Sequence, residues 1–350
     1  MKKNRLIGLV FLILAILAIG IGVYLFRHRV ADVSINGYIG GEKIGIVENQ
    51  KFKDYVKKKF GLSMDYQKAG SFQMVDADSS EMDYIWPSSQ LPEELYVKQG
   101  KSKKKSEIVF NTPIVLYSWT SVAQGLVDSG IARKDGDVYY VNMEEIANHI
   151  YNQTKWKDIG VDAYDTVVVQ TTDPNKSNSG NMFLGLLANA LNGNQPVTRA
   201  DLAEIQGKIE KIYNKIGYME SSSSDIFSQY VRQGAGGYPL IAGYENQILE
   251  FSLQKPSVYE ALKDEMIILY PEPTVWSSHV YISLTDKGNI GLEVFKDPKV
   301  QEIVWEEHGF RTTTSSATNP FNIKGIPSTI TKVMRMPSVD VHLELMKAAE

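Results

Sequence analysis

The sequence contains no cysteine, which excludes disulfide bonds and a lipid-modified cysteine near its amino-terminal end. Histidine is also scarce, and none of the five histidines has the HxxxH or HExxH spacing of a metal site. The G-x-S-x-G motif of serine hydrolases and the GxxxxGK[ST] loop of nucleotide hydrolases are both missing. We therefore predict no catalytic residue, no metal site and no cofactor.

Positive charge is scarce beyond the first 30 residues. Five of the 37 lysines and arginines lie at positions 2, 3, 5, 27 and 29, which leaves 32 basic residues against 41 acidic residues, a net charge of −9. Such a surface does not favour nucleic acid or an anionic lipid surface as a partner. The basic run "KQGKSKKKS" at 98–106 is interpreted as a solvated loop.

One long hydrophobic run stands near the amino terminus. Leu6–Phe26 has 21 residues without charge, and at about 1.5 Å per residue such a helix crosses the ~30 Å hydrocarbon core of a bilayer. A cleaved signal peptide would have a shorter apolar region followed by small residues, whereas Arg27, His28 and Arg29 follow here. Residues 1–32 are therefore predicted to hold a short cytoplasmic stub and an uncleaved transmembrane anchor, with the main domain outside the cell membrane.

The remaining sequence alternates between strand and helix patterns. Apolar runs predict strands at 33–39, 62–71, 106–119 and 165–170, within 81–86, and twice within 265–285. Periodic apolar faces predict helices at 49–61, 141–153 and 297–310, and from Gly180 onward. This alternation predicts an α/β fold with a largely parallel, doubly wound sheet.

The stretch "DTVVVQTTDPNKSNSGNMFLGLLANAL" (165–191) links an apolar run to an apolar helix through small polar residues. In a parallel α/β unit, ligands lie beyond the carboxyl ends of strands, where the next helix offers free N–H groups. Hydroxyls and a glycine at that point favour a ligand that approaches the backbone. A plain helix cap explains the same residues, and both interpretations stay open on this stretch alone.

Three further strand ends carry small hydroxyl residues: Gly70–Ser71, Ser88–Ser89 and Ser118–Trp119. Hydroxyls and backbone N–H groups bind a polar ligand without the desolvation cost of a buried fixed charge. Taken together, the four strand ends favour a binding cleft.

Eight motifs, in chain order, resemble those of bacterial extracellular solute-binding proteins. They are "YIGGEKIG", "KAGSFQMV", "DYIWPSSQ", "FNTPIVLYSWTSVAQGL", "TDPNKSNSGNMF", "GGYPLIAGYENQILEF", "YPEPTVWSSH" and "VQEIVWEEHGFRT". The order is similar to that of the type II periplasmic-binding fold, the class that includes molybdate- and sulfate-binding proteins. The resemblance covers roughly residues 33–315.

The resemblance implies two lobes, joined by crossing strands at about 108–117 and 266–275, that close on a ligand. Residues 33–112 would form the first part of lobe 1, 113–270 lobe 2, and 271–350 the rest of lobe 1 with a carboxyl-terminal tail. The ligand-binding residues carried over by position are Gly41, Lys43, Ser71, Ser88 and Ser89 from one lobe, and Ser177, Ser179, Gly180, Tyr244 and Glu245 from the other.

Two carboxylates and three tryptophans distinguish this sequence from the family members that bind small oxyanions. Glu42 and Glu245 would oppose a bare oxyanion, and Trp86, Trp119 and Trp276 make the strand ends bulkier. The predicted ligand is therefore a small polar solute, with an anion as one option.

The resemblance implies an extracytoplasmic solute-binding protein, and the hydrophobic run adds a membrane anchor, which departs from the freely diffusing members of the family. We expect a monomer, and an ABC permease is the partner that such a function implies. A scaffold or sensor on the same fold is the alternative, and ligand-induced closure separates the two. An enzyme on this fold, as in relatives of porphobilinogen deaminase, is disfavoured because the chain has no cysteine for cofactor attachment and no acid–base pair.

Overall fold

The computed structural model describes residues 31–312, 321 and 323–350. The predicted anchor, Leu6–Phe26, lies outside these residues. Within the described ranges, no helix combines the length and the apolar character that crossing a bilayer requires.

Nine strands and fourteen α-helices are present in the described residues. The strands are β1 (Val33–Ile39), β2 (Leu62–Lys68), β3 (Tyr84–Trp86), β4 (Lys105–Trp119), β5 (Ala132–Asp135), β6 (Val138–Asn142), β7 (Leu240–Tyr244), β8 (Met266–Glu272) and β9 (Trp276–Ser283). The helices of the amino-terminal half are α1 (Ile44–Glu48), α2 (Gln50–Phe60), α3 (Gln73–Asp76), α4 (Gln90–Lys98), α5 (Thr120–Asp128), α6 (Met143–Asn152) and α7 (Asn178–Leu191). Those that follow are α8 (Leu202–Ile216), α9 (Ser223–Gly237), α10 (Asn246–Gln254), α11 (Pro256–Leu262), α12 (Asn289–Lys296), α13 (Pro298–His308) and α14 (Val339–Ala348).

The strands form a mixed sheet in the order β2-β1-β3-β9-β4-β8-β6-β5, with β7 paired to β4. Strand β1 runs parallel to β2 and β3, and β6 runs parallel to β8. All pairings of β4 and β9, and the β5–β6 hairpin, are antiparallel. The prediction of a largely parallel sheet is therefore wrong. The reason is that β4 and β9, on either side of the change from one lobe to the other, run antiparallel to the strands they pair with.

Strand β4 runs through both lobes. Residues 105–113 pair with β9 in the first lobe, whereas residues 114–119 pair with β7 and β8 in the second. Pro113 lies at the change of partner, where a residue without an N–H is tolerated. The chain returns between the lobes through the short connection from Glu272 to Trp276.

Each lobe has its own apolar core. In the first lobe, residues of β1, β3 and α2 pack with apolar residues of α12, and Phe295 of this helix lies on Trp86 at a ring separation of 4.3 Å. In the second lobe, α7 is buried along its whole length, because its apolar stripe faces α6 and α8 and its small residues allow close packing.

The predicted strand at 165–170 is not formed as a strand. Val167 and Val169 are buried in the second-lobe core, but the segment makes only isolated bridges, between Thr166 and Lys155 and between Gln170 and Ile241. Its alternating burial is real, but it touches β7 at a single residue pair before the chain turns toward α7.

The carboxyl-terminal residues return to the second lobe. Val333 bridges to Thr274 beside the interlobe connection. Helix α14 then packs on α7 and α8 and contributes Val341 and Leu345 to the second-lobe core. The two-lobed architecture that the sequence predicted is thus present, with an added carboxyl-terminal helix.

Candidate ligand-binding cleft

A cleft of about 680 Å³ lies between the two lobes. Its first-lobe wall is formed by the residues that follow β1, by the end of β2 with the loop after it, and by Ser88. Its second-lobe wall comes from the starts of α7, α9 and α10. Because helix starts carry unpaired N–H groups and the positive end of the helix dipole, this wall is suited to polar or anionic groups.

Four of the ten predicted site residues line this cleft: Gly41, Ser71, Ser88 and Ser177. The Ser71 hydroxyl accepts a hydrogen bond from the Ser88 N–H at 2.9 Å. That bond fixes the loop after β3 against the loop after β2. These two hydroxyls, each of which follows a strand of the first lobe, therefore lie on one surface of the cleft.

Lys43 lies beneath the first-lobe wall and is fully buried. Its Nζ donates to the Glu42 carboxylate and, at 2.7 Å, to the Ser88 hydroxyl, and it lies 3.3 Å from Nδ1 of His279. Burial opposes ionisation of Glu42, but the charge of Lys43 and the hydrogen bonds from Lys43 and the Ser88 hydroxyl outweigh it and hold the pKa of Glu42 at about 2. Burial, followed by the charge of Lys43, lowers the pKa of His279 well below its ordinary value, so this imidazole is neutral.

The second-lobe wall begins at Ser177, the residue that precedes α7. Its hydroxyl bonds to the Ser179 hydroxyl at 3.0 Å and does not cap the helix, so the plain-cap interpretation does not describe it. The Ser179 hydroxyl is buried and also bonds to Thr172 at 2.9 Å. Ser179 thus supports Ser177 from behind.

Gly180 packs against the second lobe's own backbone. A Cβ at this position would lie 2.0 Å from the carbonyl oxygen of Thr172. The glycine is needed so that the loop at 171–173 can lie against the helix, and this explains the residue without a ligand.

Tyr244 and Glu245 are buried behind the second-lobe wall. The Glu245 carboxylate binds Arg311 through two nitrogens, at 2.7 and 2.8 Å, and accepts a 2.7 Å bond from the Tyr270 hydroxyl. The expectation that Glu245 opposes an anionic ligand is therefore wrong, because Arg311 neutralises it inside the protein. Likewise, the buried Ser118 hydroxyl donates to the carbonyl of Pro239 at 2.9 Å, within the second lobe.

Asn178 joins the two walls, although the sequence did not single it out. Its Oδ1 accepts a 2.9 Å bond from Ser89 of the first lobe, and its Nδ2 donates to the Tyr244 hydroxyl at 3.0 Å. Longer contacts reach the Ser88 carbonyl at 3.4 Å and the Ser277 hydroxyl at 3.5 Å. The lobes are therefore in contact across the cleft, through a buried amide.

Further contacts near the cleft also bring the lobes together. A Cβ on Gly70 of the first lobe would lie 2.9 Å from the Lys176 carbonyl of the second, so the backbones approach closely here. On the other side of the cleft, Glu250 of α10 lies 3.1 Å from Nδ1 of His308 at the end of α13.

The serine run 221–224 is a second feature that the sequence prediction missed. All four serines line the cleft at the start of α9, and Ser222 caps this helix by accepting from the N–H of Asp225 at 3.2 Å. The signal was present, since these hydroxyls also precede a helix, as those of the "SNSG" segment do.

The charges of the cleft are mostly paired within the chain. Lys176 binds Asp173 at 2.8 Å, Glu42 binds Lys43, and Glu250 contacts His308. Lys68 is exposed beside Gly41 and has no ion-pair partner in the described ranges. The cleft therefore presents hydroxyls, amides, one available cation and the carboxylate of Asp225, which accepts a hydrogen bond from the Ser222 hydroxyl. Within the described ranges, no group of three or more histidines or carboxylates is arranged to hold a metal ion.

Neither a family model nor a curated protein matches the sequence. Solved structures do match the fold. The periplasmic binding protein AfuA from Actinobacillus pleuropneumoniae, with fructose-6-phosphate bound, has a TM-score of 0.54 at 12% identity, over 89% of this chain and 93% of that one. The periplasmic binding protein P5PA gives 0.53 at 12% identity, over 89% and 95% of the two chains. The sulfate-binding protein SubI from Mycobacterium tuberculosis H37Rv gives 0.50 at 12% identity, over 81% and 88%.

These likenesses cover both lobes and confirm, at the level of fold, the resemblance stated from the motifs. The structures named are binding proteins rather than enzymes. The chain has the two-lobed α/β fold of periplasmic and extracellular solute-binding proteins.

Proposed function

We propose that this chain is an extracytoplasmic solute-binding protein that captures a small polar solute between its lobes and delivers it to an ABC-type permease. The observation that supports this most directly is Asn178, a buried amide that contacts residues of both lobes at the cleft. The contacts of Asn178 depend on whether the lobes are open or closed. A solute between the two walls would shift the same equilibrium between the open and closed arrangements.

Two features support a solute rather than a protein as the bound partner. The cleft of about 680 Å³ is within the range of small-molecule sites, and hydroxyls, amides and helix starts line it. Among proteins of similar fold, one binds sulfate and another holds fructose-6-phosphate, so the fold accepts solutes of different size.

In this proposal, Leu6–Phe26 anchors the chain in the cell membrane with the lobes outside. Such an anchor keeps the lobes within reach of a membrane permease. The lobes act as a monomer and carry out no catalysis.

Closure on a solute is the property to test. The chain has no cysteine, so Lys58→Cys and Asn214→Cys place spin labels on two exposed positions, one in each lobe. The full-length protein in detergent would first be analysed by native mass spectrometry for a solute that co-purifies. Removal of that solute should broaden or lengthen the distance between the labels, and its return should restore the short distance. A distance that does not respond to any bound solute would contradict solute capture and favour the scaffold or sensor function.

A further inference from the structure

The first-lobe wall is built around the carboxylate of Glu42. This carboxylate accepts hydrogen bonds from the Lys43 ammonium and the Ser88 hydroxyl, and it lies 3.8 Å from Nδ1 of His279. The Lys43 side chain has no exposed surface, whereas the Glu42 side chain is 10% exposed and lines the cleft. Glu42 therefore separates the buried ammonium from the cleft.

An ammonium and a hydroxyl that converge on one oxygen are the donors that an oxyanion requires. In this chain they converge on an oxygen of the protein itself. The Ser71 hydroxyl differs from these two groups, because it accepts the N–H of Ser88 and keeps its own O–H as a donor. A sulfate or phosphate ion that entered the cleft would find the Lys43 ammonium and the Ser88 hydroxyl already paired with Glu42.

The charge of Glu42 adds a second barrier. Two bare negative charges about 4 Å apart near a protein surface would weaken binding by roughly a thousandfold, and the Lys43 ammonium that is paired with Glu42 reduces this repulsion. Displacing Glu42 instead would leave a carboxylate and a buried ammonium to find new partners. Both routes disfavour a small anion at this wall.

We infer that Glu42 is an internal occupant of the oxyanion position, so that the cleft rejects bare tetrahedral oxyanions and accepts a larger solute that donates hydrogen bonds. This inference rests on the proposed function, because it takes the cleft as the solute site. Glu42 is then a residue that determines specificity.

Asn246 indicates the same kind of solute. It lines the cleft, it is 1% exposed, and its Oδ1 has no hydrogen-bond partner in the described ranges. An unpaired buried acceptor is costly, and a solute hydroxyl or N–H would satisfy it. A sulfate ion has no proton to donate. The cleft volume also exceeds what a single tetrahedral ion fills.

The test is a gain of oxyanion binding on removal of the carboxylate. Inorganic phosphate and sulfate would be titrated by calorimetry into the full-length wild type, Glu42→Gln and Glu42→Ala. The alanine variant opens space beside Lys43, and the glutamine variant removes the charge alone. We expect no measurable binding to wild type, and binding to Glu42→Ala at least about a hundredfold tighter than any trace in wild type.

The matched control is Glu250→Gln, which removes the charge of another cleft carboxylate that is also paired within the chain. It should gain no oxyanion binding. If Glu42→Ala is unstable alone, its melting temperature should rise with phosphate, whereas that of wild type should not. Folded Glu42→Ala that gains no binding, or an equal gain in Glu250→Gln, would overturn the inference.

Failure of this inference is distinct from failure of the proposed function. Tight sulfate binding by wild type would overturn the role of Glu42 and leave solute capture intact. Phosphate binding by Glu42→Ala, with no solute of any class bound by wild type, would support the role of Glu42 and contradict solute capture.

Discussion

Replacing Asn178 with alanine should shift the protein from the closed to the open arrangement of its lobes. The amide accepts a 2.9 Å bond from Ser89 across the cleft and makes two longer cross-lobe contacts, at 3.4 and 3.5 Å. A buried hydrogen bond contributes about 1 kcal/mol net, and a buried hydroxyl left without a partner costs a further 1–3 kcal/mol or so. In the open arrangement, water solvates Ser89 in both proteins, so this cost applies only to the closed form of the variant.

The expected change is therefore about 2 kcal/mol in favour of opening, or about a 30-fold change in the closed-to-open ratio. Pulsed electron resonance between labels at positions 58 and 214 of the full-length protein would measure it. Without solute, the variant should show a longer or broader distance distribution than wild type, and its affinity for the co-purified solute should fall.

Asn189→Ala is the matched control for this experiment. Asn189 lies on the same helix, is fully buried, and bonds to the Arg335 carbonyl at 2.8 Å and the Val197 N–H at 3.0 Å, within the second lobe. It should lower the melting temperature and leave the label distance unchanged. Coincident distance distributions for Asn178→Ala and wild type would refute the assignment of Asn178 as a contact that stabilises the closed arrangement.

Three further predictions concern the stability of the fold and the solubility of the part that follows the predicted anchor. Gly180→Ala should lower the free energy of unfolding by about 1–3 kcal/mol in chemical denaturation, because its Cβ would meet the Thr172 carbonyl; unchanged stability would show that the loop can move away. Burial lowers the pKa of His342 from 6.5 to about 3, so the unfolded chain binds a proton first and stability falls as the pH drops from about 6.5 toward 3. The loss is about 2 kcal/mol by pH 5, and His342→Gln, which keeps a donor for Asn181, should reduce this slope in denaturation at several pH values; equal slopes would exclude His342 as the cause. Residues 33–350 expressed alone should remain soluble and monomeric without detergent, as measured by light scattering, and aggregation of this fragment would contradict the boundary after residue 32.

The sequence predicted the elements whose signal is local. The alternation in 33–39, the helix at 49–61 and the long apolar strand ending at Trp119 all appear at or near the predicted bounds. Strand direction is not local, because it depends on which lobe a strand joins. For that reason the antiparallel pairings of β4 and β9 were missed although the strands themselves were found.

The candidate site divides in the same way. A hydroxyl after a strand is visible in sequence, so Ser71, Ser88 and Ser177 were placed on the cleft. Whether a charged group faces the ligand or another residue is decided by contacts far along the chain. Glu245 pairs with Arg311, 66 positions away, and Lys43 contacts His279, 236 positions away. No local pattern distinguishes such groups from ligand-binding ones.

The contacts that the carboxyl-terminal helix makes between the lobes can be compared with those of Asn178. Helix α14 buries Val341 and Leu345 in the second-lobe core, so it belongs mechanically to that lobe. Its contact with α4 of the first lobe includes the ion pair between Asp340 and Lys98, whose side chains are both about half exposed. Exposed pairs of this kind contribute little, and Phe72 of the first lobe adds a ring contact with His342 of α14 at a centroid distance of 6.5 Å. The buried bonds of Asn178 lie instead at the cleft itself. A solute that binds in the cleft contacts the same region as Asn178. We therefore expect a change of about 2 kcal/mol at this amide to alter both the fraction of closed protein and the affinity for the solute.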